Sequence, residues 1–271
     1  MSGKPKGHLI IIGGHEEKQG DEAILKAVAQ RARGDRGHLV IVTVATQEPE
    51  EVGREYRALF RGLGVGQTDV VDIRTRDEAA KQQHIEKIAN AKVVFFTGGD
   101  QLRITSQIGD SPVFQAMRDI YQKGATIAGT SAGAAAMPET MLNGGADDQS
   151  HRISALEMAP GLAFLSGVVI DSHFAERGRM GRLLGAVAQN PRNIGLGIDE
   201  DTAIIVTGQE RFEVIGSGAV YVVDGMGISY SSLSEEQPEG ITSIFDIRLH
   251  VLGQGDHFDL HTRRPLQENT R

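Results

Sequence analysis

Ala125-Thr126-Ile127-Ala128-Gly129-Thr130-Ser131-Ala132-Gly133-Ala134-Ala135-Ala136 is the stretch from which the rest of the chain can be read. It begins as a short apolar run, passes through Gly-x-Ser-x-Gly and ends in three small helix formers. Strand, then this pentapeptide, then helix is the context of a nucleophile elbow, a tight turn that pushes a serine hydroxyl out of the sheet. The glycines answer to geometry, because the turn needs backbone angles and a close helix–strand approach that a Cβ would obstruct. The N–H groups opening the new helix suit a developing oxyanion.

Outward from this elbow, short β-branched runs alternate with longer helical patterns. Leu9–Ile12, Leu39–Val44, Val93–Phe96, Thr126–Ala128, Val168–Ile170 and Ile194–Ile198 read as buried strands, apolar for most of their length. Helices are expected over Asp21–Ala32, Glu50–Leu63, Glu78–Ala91, Ser111–Lys123 and Gly178–Gln189. The last places Met180, Leu183, Leu184 and Val187 at the spacing of a core-facing stripe. Such alternation predicts an α/β fold: a mostly parallel, doubly wound sheet flanked by helices. After about residue 200 the pattern changes, and Thr202–Val206, Phe212–Ile215, Ala219–Val223 and Ile247–Leu252 read as antiparallel strands that extend or cap that sheet. No linker-like stretch separates them, so residues 1–271 are expected to form one domain, with a β-rich extension over 200–271. Met141–Pro160 and Ser231–Gly240 read as loops.

Composition bounds the function. The chain of 271 residues is 39% hydrophobic and 24% charged, with a net charge of −8 that argues against a nucleic-acid-binding surface. With no cysteine, disulfides, Cys-ligated zinc and thiol catalysis are excluded. The basic start lacks an apolar segment behind it, and no apolar run approaches the roughly 18 residues of a membrane span. A cytoplasmic protein without signal peptide or membrane anchor is expected.

In doubly wound sheets, ligands bind at the carboxyl ends of strands. Four such ends carry chemistry here: Gly13-Gly14-His15, Thr97-Gly98-Gly99-Asp100-Gln101, the elbow, and Asp171-Ser172-His173-Phe174. Ser131 needs a base, since a serine hydroxyl is a poor nucleophile near neutral pH. Of nine histidines only His15 and His173 stand just past a buried strand, and His173 follows the strand next after the elbow. Its orienting acid is sought in Asp199-Glu200-Asp201, with Glu200 and Asp201 favoured. The later His250, His257 and His261 look structural. One N–H of Gly98-Gly99, with that of Ala132, would bind an oxyanion, worth on the order of 3 kcal/mol per donor.

Arg177, Arg179 and Arg182 cluster where a helix begins, against the macrodipole. An electropositive pocket for an acidic substrate explains this placement, because the planar guanidinium binds carboxylates through two parallel bonds. Asp100 and Asp171 add negative charge nearby, so a ligand of both signs is expected.

Together these pieces resemble the cyanophycinase family, serine-type exopeptidases related to aspartyl dipeptidase in a fold similar to class I glutamine amidotransferases. The likeness runs from Ile10–Gly14 into the C-terminal strands. Its specific parts are Thr97–Leu102 (TGGDQL), Gly129–Ala134 (GTSAGA), Asp171–Phe174, the Arg177-x-Arg179-x-x-Arg182-Leu183 run and Gly197–Ala203 (GIDEDTA). The resemblance implies Ser131 as nucleophile, His173 as base, Glu200 as its partner, and Gly99 and Ala132 as the oxyanion hole. It implies a substrate pocket of Gln101, Asp171, Ser172, Arg177, Arg179 and Arg182, although the family usually has glutamine where Ser172 stands. The implied substrate is cyanophycin, a polyaspartate bearing arginine on its side chains through isopeptide bonds, cleaved in the main chain to β-aspartyl-arginine. No metal or cofactor is needed for that reaction, and a homodimer is implied with the resemblance; charge and hydropathy already argue against nucleic-acid and membrane partners. Two other readings share these residues: an aspartyl dipeptidase acting on short Asp-X peptides, and a non-catalytic scaffold binding a small acidic ligand.

Overall fold

The run Leu9-Ile10-Ile11-Ile12 has no polar face, and its environment shows why. In the computed structural model, which describes residues 4–34, 37–144, 156–234 and 242–266, it lies in strand β1 (His8–Ile12). Leu9 and Ile11 enter one hydrophobic cluster, Ile10 and Ile12 another. Strand β2 (His38–Val42) divides in the same way, with Leu39 and Ile41 opposite Val40 and Val42. Each such side chain taken out of water contributes roughly 1.5–3 kcal/mol.

These strands belong to a nine-stranded sheet. Strands β3 (Gln67–Val71), β2, β4 (Val93–Phe96), β5 (Thr126–Thr130) and β1 run parallel in that order. Beyond β1 the sheet continues antiparallel through β10 (Thr202–Thr207), β11 (Arg211–Gly216), β16 (His257–Asp259) and β17 (Arg264–Leu266). Helices α1 (Ala23–Arg31) and α2 (Pro49–Gly62) cover one face. Helices α3 (Gln82–Ala89), α4 (Gln101–Ile108) and α5 (Pro112–Lys123) pack on the other. The sequence of α5 sets its own limits: the Ser111 hydroxyl accepts the Phe114 N–H at 3.2 Å, Pro112 opens the first turn, and Gly124 ends it at φ 115°.

The architecture is the mostly parallel, helix-flanked α/β fold that the alternation predicts, with antiparallel C-terminal strands. Its division into sheets differs. Strands β8 (Val168–Ser172) and β9 (Ile194–Ile198) do not join β1; they pair in parallel inside a second, four-stranded sheet completed by β12 (Val220–Asp224) and β15 (Arg248–Leu252). The place beside β1 is taken by β10, whose antiparallel ladder runs from His8↔Thr207 to Ile12↔Ala203. So the C-terminal strands both extend the first sheet and complete the second. Helix α7 (Met180–Gln189) lies on the second sheet, burying Leu183 and Val187 with Met180 and Leu184 packed beside them.

Five further differences are local. Gln67–Val71 is a strand and Gln101–Ile108 a helix where none is expected. The helix expected over Glu78–Ala91 is a 3-10 turn, Arg76–Ala80, followed by α3. The loop expected over Met141–Pro160 contains an antiparallel pair, β6 (Thr140–Gly144) and β7 (Glu157–Pro160); its residues 145–155 lie outside the described ones. The loop expected over Ser231–Gly240 begins in β13 (Tyr230–Ser231), which pairs antiparallel with β14 (Ile244–Phe245), and goes on as a 3-10 turn, Ser232–Ser234; residues 235–240 lie outside the description. No helix among the described residues is long and apolar enough to cross a membrane.

Candidate active site

Main-chain hydrogen bonds gather the strand ends before any side chain acts. The Ser131 N–H donates to the Ile12 carbonyl at 3.0 Å, the His173 N–H to Gly13 at 2.8 Å, and the Asp201 N–H to Gly14 at 2.9 Å. The turn after β1 is thus the common anchor for the elbow, the end of β8 and the turn after β9. Strain collects at the same place: His15, Ser131, His173 and Asp201 hold φ between 45° and 53°. Left-handed backbone at non-glycine residues costs on the order of 1–3 kcal/mol each and persists where surrounding structure enforces it.

Ser131 stands between β5 and the short helix α6 (Ala132–Ala135), the strand–turn–helix context of the elbow. Its Oγ lies 2.8 Å from His173 Nε2, and His173 Nδ1 lies 2.6 Å from Glu200 Oε1. A carboxylate only accepts, so Nδ1 carries the proton and Nε2 is left to accept the serine hydroxyl. The imidazole is buried, its side chain 4% exposed. Burial pulls its pKa below the ordinary 6.5; the bond to Glu200 opposes this without cancelling it, and Arg177 and His15 add to the lowering. Glu200 is pushed up by burial, but the hydrogen bonds from His173 and His15 outweigh that and hold its pKa below 4.5.

The three adjacent carboxylates separate cleanly. Asp199 is buried and accepts the N–H groups of Ala175 and Ala219 at 2.9 and 3.2 Å. Asp201 accepts the Glu17 N–H at 2.9 Å and the Ser217 hydroxyl at 2.6 Å. Only Glu200 of the three carries a hydrogen bond to His173. Gly98 borders the serine, since a Cβ built on it would lie 3.4 Å from Ser131 Cβ. Gly99 follows at φ 141°, and Ala132 is the first residue of α6.

The residues expected in a substrate pocket take varied positions. Arg177 is exposed and near enough to His173 to depress its pKa. Arg179 and Arg182 are buried, as is Asp171, with which both pair. Arg179 Nη1 donates to Asp171 Oδ1 at 3.0 Å and to the Ser172 carbonyl at 2.8 Å, while Arg182 Nη2 donates to Oδ1 at 3.2 Å. Ser172 itself is 6% exposed. Gln101, half-buried, donates through Nε2 to the carbonyls of Leu142 and Asn143 in β6, at 3.0 and 3.3 Å. Asp100 caps α4, accepting the Leu102 N–H at 2.8 Å. His250 and His257 sit in β15 and β16, and His261 lies just beyond.

Two residues beside the site are not anticipated in these roles. His15, 74% exposed, places its Nδ1 2.8 Å from the same Glu200 Oε1 that His173 uses. Glu16, 3% exposed, accepts the Tyr56 hydroxyl and the Thr130 hydroxyl, each at 2.6 Å, directly beneath the elbow. Their position after β1 was the available signal, but nothing in Gly-Gly-His-Glu reveals partners as distant in the chain as Tyr56, Thr130 and Glu200.

An α/β sheet that presents a serine at an elbow, with an imidazole and a carboxylate in line behind it, has the makings of a serine hydrolase. The comparisons agree. The profile of peptidase family S51 matches residues 9–214, and the chain belongs to that family, a serine-type peptidase. It is 36% identical over 259 residues to the cyanophycinase of Geminocystis herdmanii, covering 95% of each chain. It is 35% identical to that of Trichormus variabilis, covering 95% of this chain and 87% of the relative. For the cyanophycinase of Synechococcus elongatus the identity is 33%, with 96% and 81% covered. Among solved structures, a peptidase from an acI-B1 Actinobacterium superposes with a TM-score of 0.71 at 20% identity, covering 95% of this chain and 98% of that one, a likeness of fold.

Proposed function

We propose that this chain is a cyanophycinase, hydrolysing the polyaspartate main chain of cyanophycin to β-aspartyl-arginine through Ser131, His173 and Glu200. The observation that carries the reading is the unbroken line from Ser131 Oγ to His173 Nε2 at 2.8 Å and from His173 Nδ1 to Glu200 Oε1 at 2.6 Å. The substrate rests on the relatives, which bear the name cyanophycinase.

In this reading Ser131 Oγ attacks a main-chain carbonyl carbon while His173 Nε2 takes the hydroxyl proton, and Glu200 steadies the imidazolium so formed. The N–H groups of Gly99 and Ala132 receive the oxyanion. Collapse of the tetrahedral intermediate breaks the C–N bond, and the proton on Nε2 passes to the leaving amine. Water, deprotonated by the same nitrogen, then hydrolyses the acyl-enzyme. Arg177, the exposed member of the three arginines, meets a substrate carboxylate. Arg179 and Arg182, held by Asp171, supply a fixed positive field behind it, and Gln101 and Ser172 shape the rim. No metal or cofactor takes part, and the resemblance carries a homodimer with it.

Incubation with cyanophycin granules tests the proposal. Wild-type protein is expected to release soluble β-Asp-Arg, and Ser131→Ala to lose at least about 10³-fold in rate. Equal release from both ends the nucleophile assignment. Hydrolysis of Asp-X dipeptides with none of the polymer would replace the substrate and leave the nucleophile standing.

A further inference from the structure

His15 lies outside the proton path from Ser131 to Glu200, yet it points at the end of that path. Among the described residues, one donor atom each of His15, His173 and Glu200 lie within 4.8 Å of one another. The two imidazole nitrogens approach one oxygen, Glu200 Oε1, from 2.8 and 2.6 Å. Their rings meet edge to face, with centroids 5.0 Å apart and planes at 76°.

We infer that His15, His173 and Glu200 form a binding site for a borderline divalent transition ion such as Zn²⁺, and that the bound ion switches the active site off. Two imidazoles and one carboxylate are ligands that favour zinc and its neighbours over magnesium or calcium, which seek oxygen. A tetrahedral ion with bonds near 2.0–2.1 Å wants its donors about 3.3 Å apart. The two short contacts therefore open by roughly half an ångström, and the widest closes by at most about 1.5 Å. Room for these shifts is at hand, because the His15 side chain is 74% exposed and Glu200 27%. That exposure also gives the ion a way in, with water free to fill the fourth position.

Inhibition follows from the tautomer. With Glu200 as acceptor, His173 keeps its proton on Nδ1, and Nε2 accepts from Ser131. An ion on Nδ1 takes the lone pair there, and the ring proton moves to Nε2 through solvent, with no net release from a neutral imidazole. The nitrogen facing Ser131 is then a donor and cannot accept the hydroxyl proton. Glu200, its charge shared with the ion, no longer steadies an imidazolium. The ion thus disables the base without displacing it.

The inhibitory part rests on His173 acting as base; the binding part does not, and calorimetry separates them. Zn²⁺ is titrated into chelator-treated, dialysed full-length protein, wild type, His15→Asn and His15→Ala. Asparagine tolerates the φ of 45° at this position and keeps a hydrogen bond for Glu200 within reach, but brings no imidazole. One ion per chain is expected in the wild type, with affinity at least about tenfold weaker in both variants, and no response to Mg²⁺. Dipeptide release by the wild type should fall along the same isotherm and return with EDTA. Absence of a site, or equal affinity in the variants, overturns the proposal. An ion that binds through His15 yet leaves hydrolysis at full rate would overturn the switch, because the nitrogen facing Ser131 would still be accepting its proton.

Discussion

At Gly14 a missing side chain makes room for the imidazole. A Cβ there would lie 2.2 Å from His173 Cε1, and the residue holds φ 111°. The glycine is visible in the sequence; what it makes room for is not, because the ring arrives from 159 positions further on (173 − 14). Ser131 is legible from the Gly-x-Ser-x-Gly elbow between strand and helix, and His173 from its place just past the next buried strand. The choice among Asp199, Glu200 and Asp201 is not, since it depends on which carboxylate the turn after β9 aims inward. The pH profile follows from the site. Only the neutral imidazole accepts the Ser131 proton, and burial holds its pKa below 6.5. In chelator-treated buffer kcat/KM should therefore rise with pH and reach half its plateau below pH 6.5. Glu200→Gln removes a partner that raises this pKa, so the limb moves lower still while the plateau falls, by roughly 10²–10⁴-fold if the loss resembles that of other serine triads. A limb above pH 6.5 in the wild type would contradict the assignment of the base.

The turn that joins β8 to α7, together with the first turn of that helix, carries three arginines against the helix dipole, and their counterweight is Asp171. That carboxylate, 1% exposed, pairs with Arg179 and Arg182, and Arg179 also holds the carbonyl of Ser172, the residue before His173. From sequence the arginines pointed to an acidic ligand; folded, two of the three already have an internal one. Asp171→Asn keeps the shape but removes the buried carboxylate that both guanidinium groups share. It should cost about 3–5 kcal/mol and lower the thermal midpoint by roughly 10 °C. Were Asp171 instead a contact for substrate, KM would rise with the midpoint unmoved, so melting curves beside kinetics decide between the two. Other elements escaped the sequence for physical reasons. Gln67–Val71 has an exposed start and a polar middle, typical of an outer strand, and its burial comes from the helices above. Residues 101–108 are mostly polar, and only Ile104 and Ile108 are buried, too few for a periodic signal. The pair β6 and β7 forms by an antiparallel backbone ladder, and Gln101 of α4 donates to the β6 carbonyls from outside it, contacts that no local pattern encodes.

Across the molecule, one hydrophobic cluster runs from Leu9 and Val94 of the first sheet to Val168, Leu196 and Val220 of the second. Alternating strands and helices made the layered α/β plan legible; which strands share a sheet rests on long-range pairings such as that of β1 with β10. Asp224 binds the two sheets at their C-terminal side. Its carboxylate, 1% exposed, accepts from Arg248 of β15 at 3.0 Å and from Arg263, beside β17, at 2.7 Å. Arg263 also reaches the Arg192 carbonyl, ahead of β9. Burial raises the Asp224 pKa, but the Met226 N–H and the two arginines outweigh it and hold the group below 3.8. A carboxylate depressed in this way stabilises the fold fully above its unfolded pKa of about 3.9, and that share is lost as pH falls through the folded value. Asp224→Asn should therefore cost about 2–3 kcal/mol at pH 7, below the fully buried range because Arg248 is 42% exposed. Urea unfolding of both proteins at pH 7 and near pH 3 measures the difference at each. The gap should narrow in acid, because the wild-type carboxyl is then itself taking up its proton; a gap of equal size at both pH values would mean that Asp224 joins the sheets by shape rather than by charge.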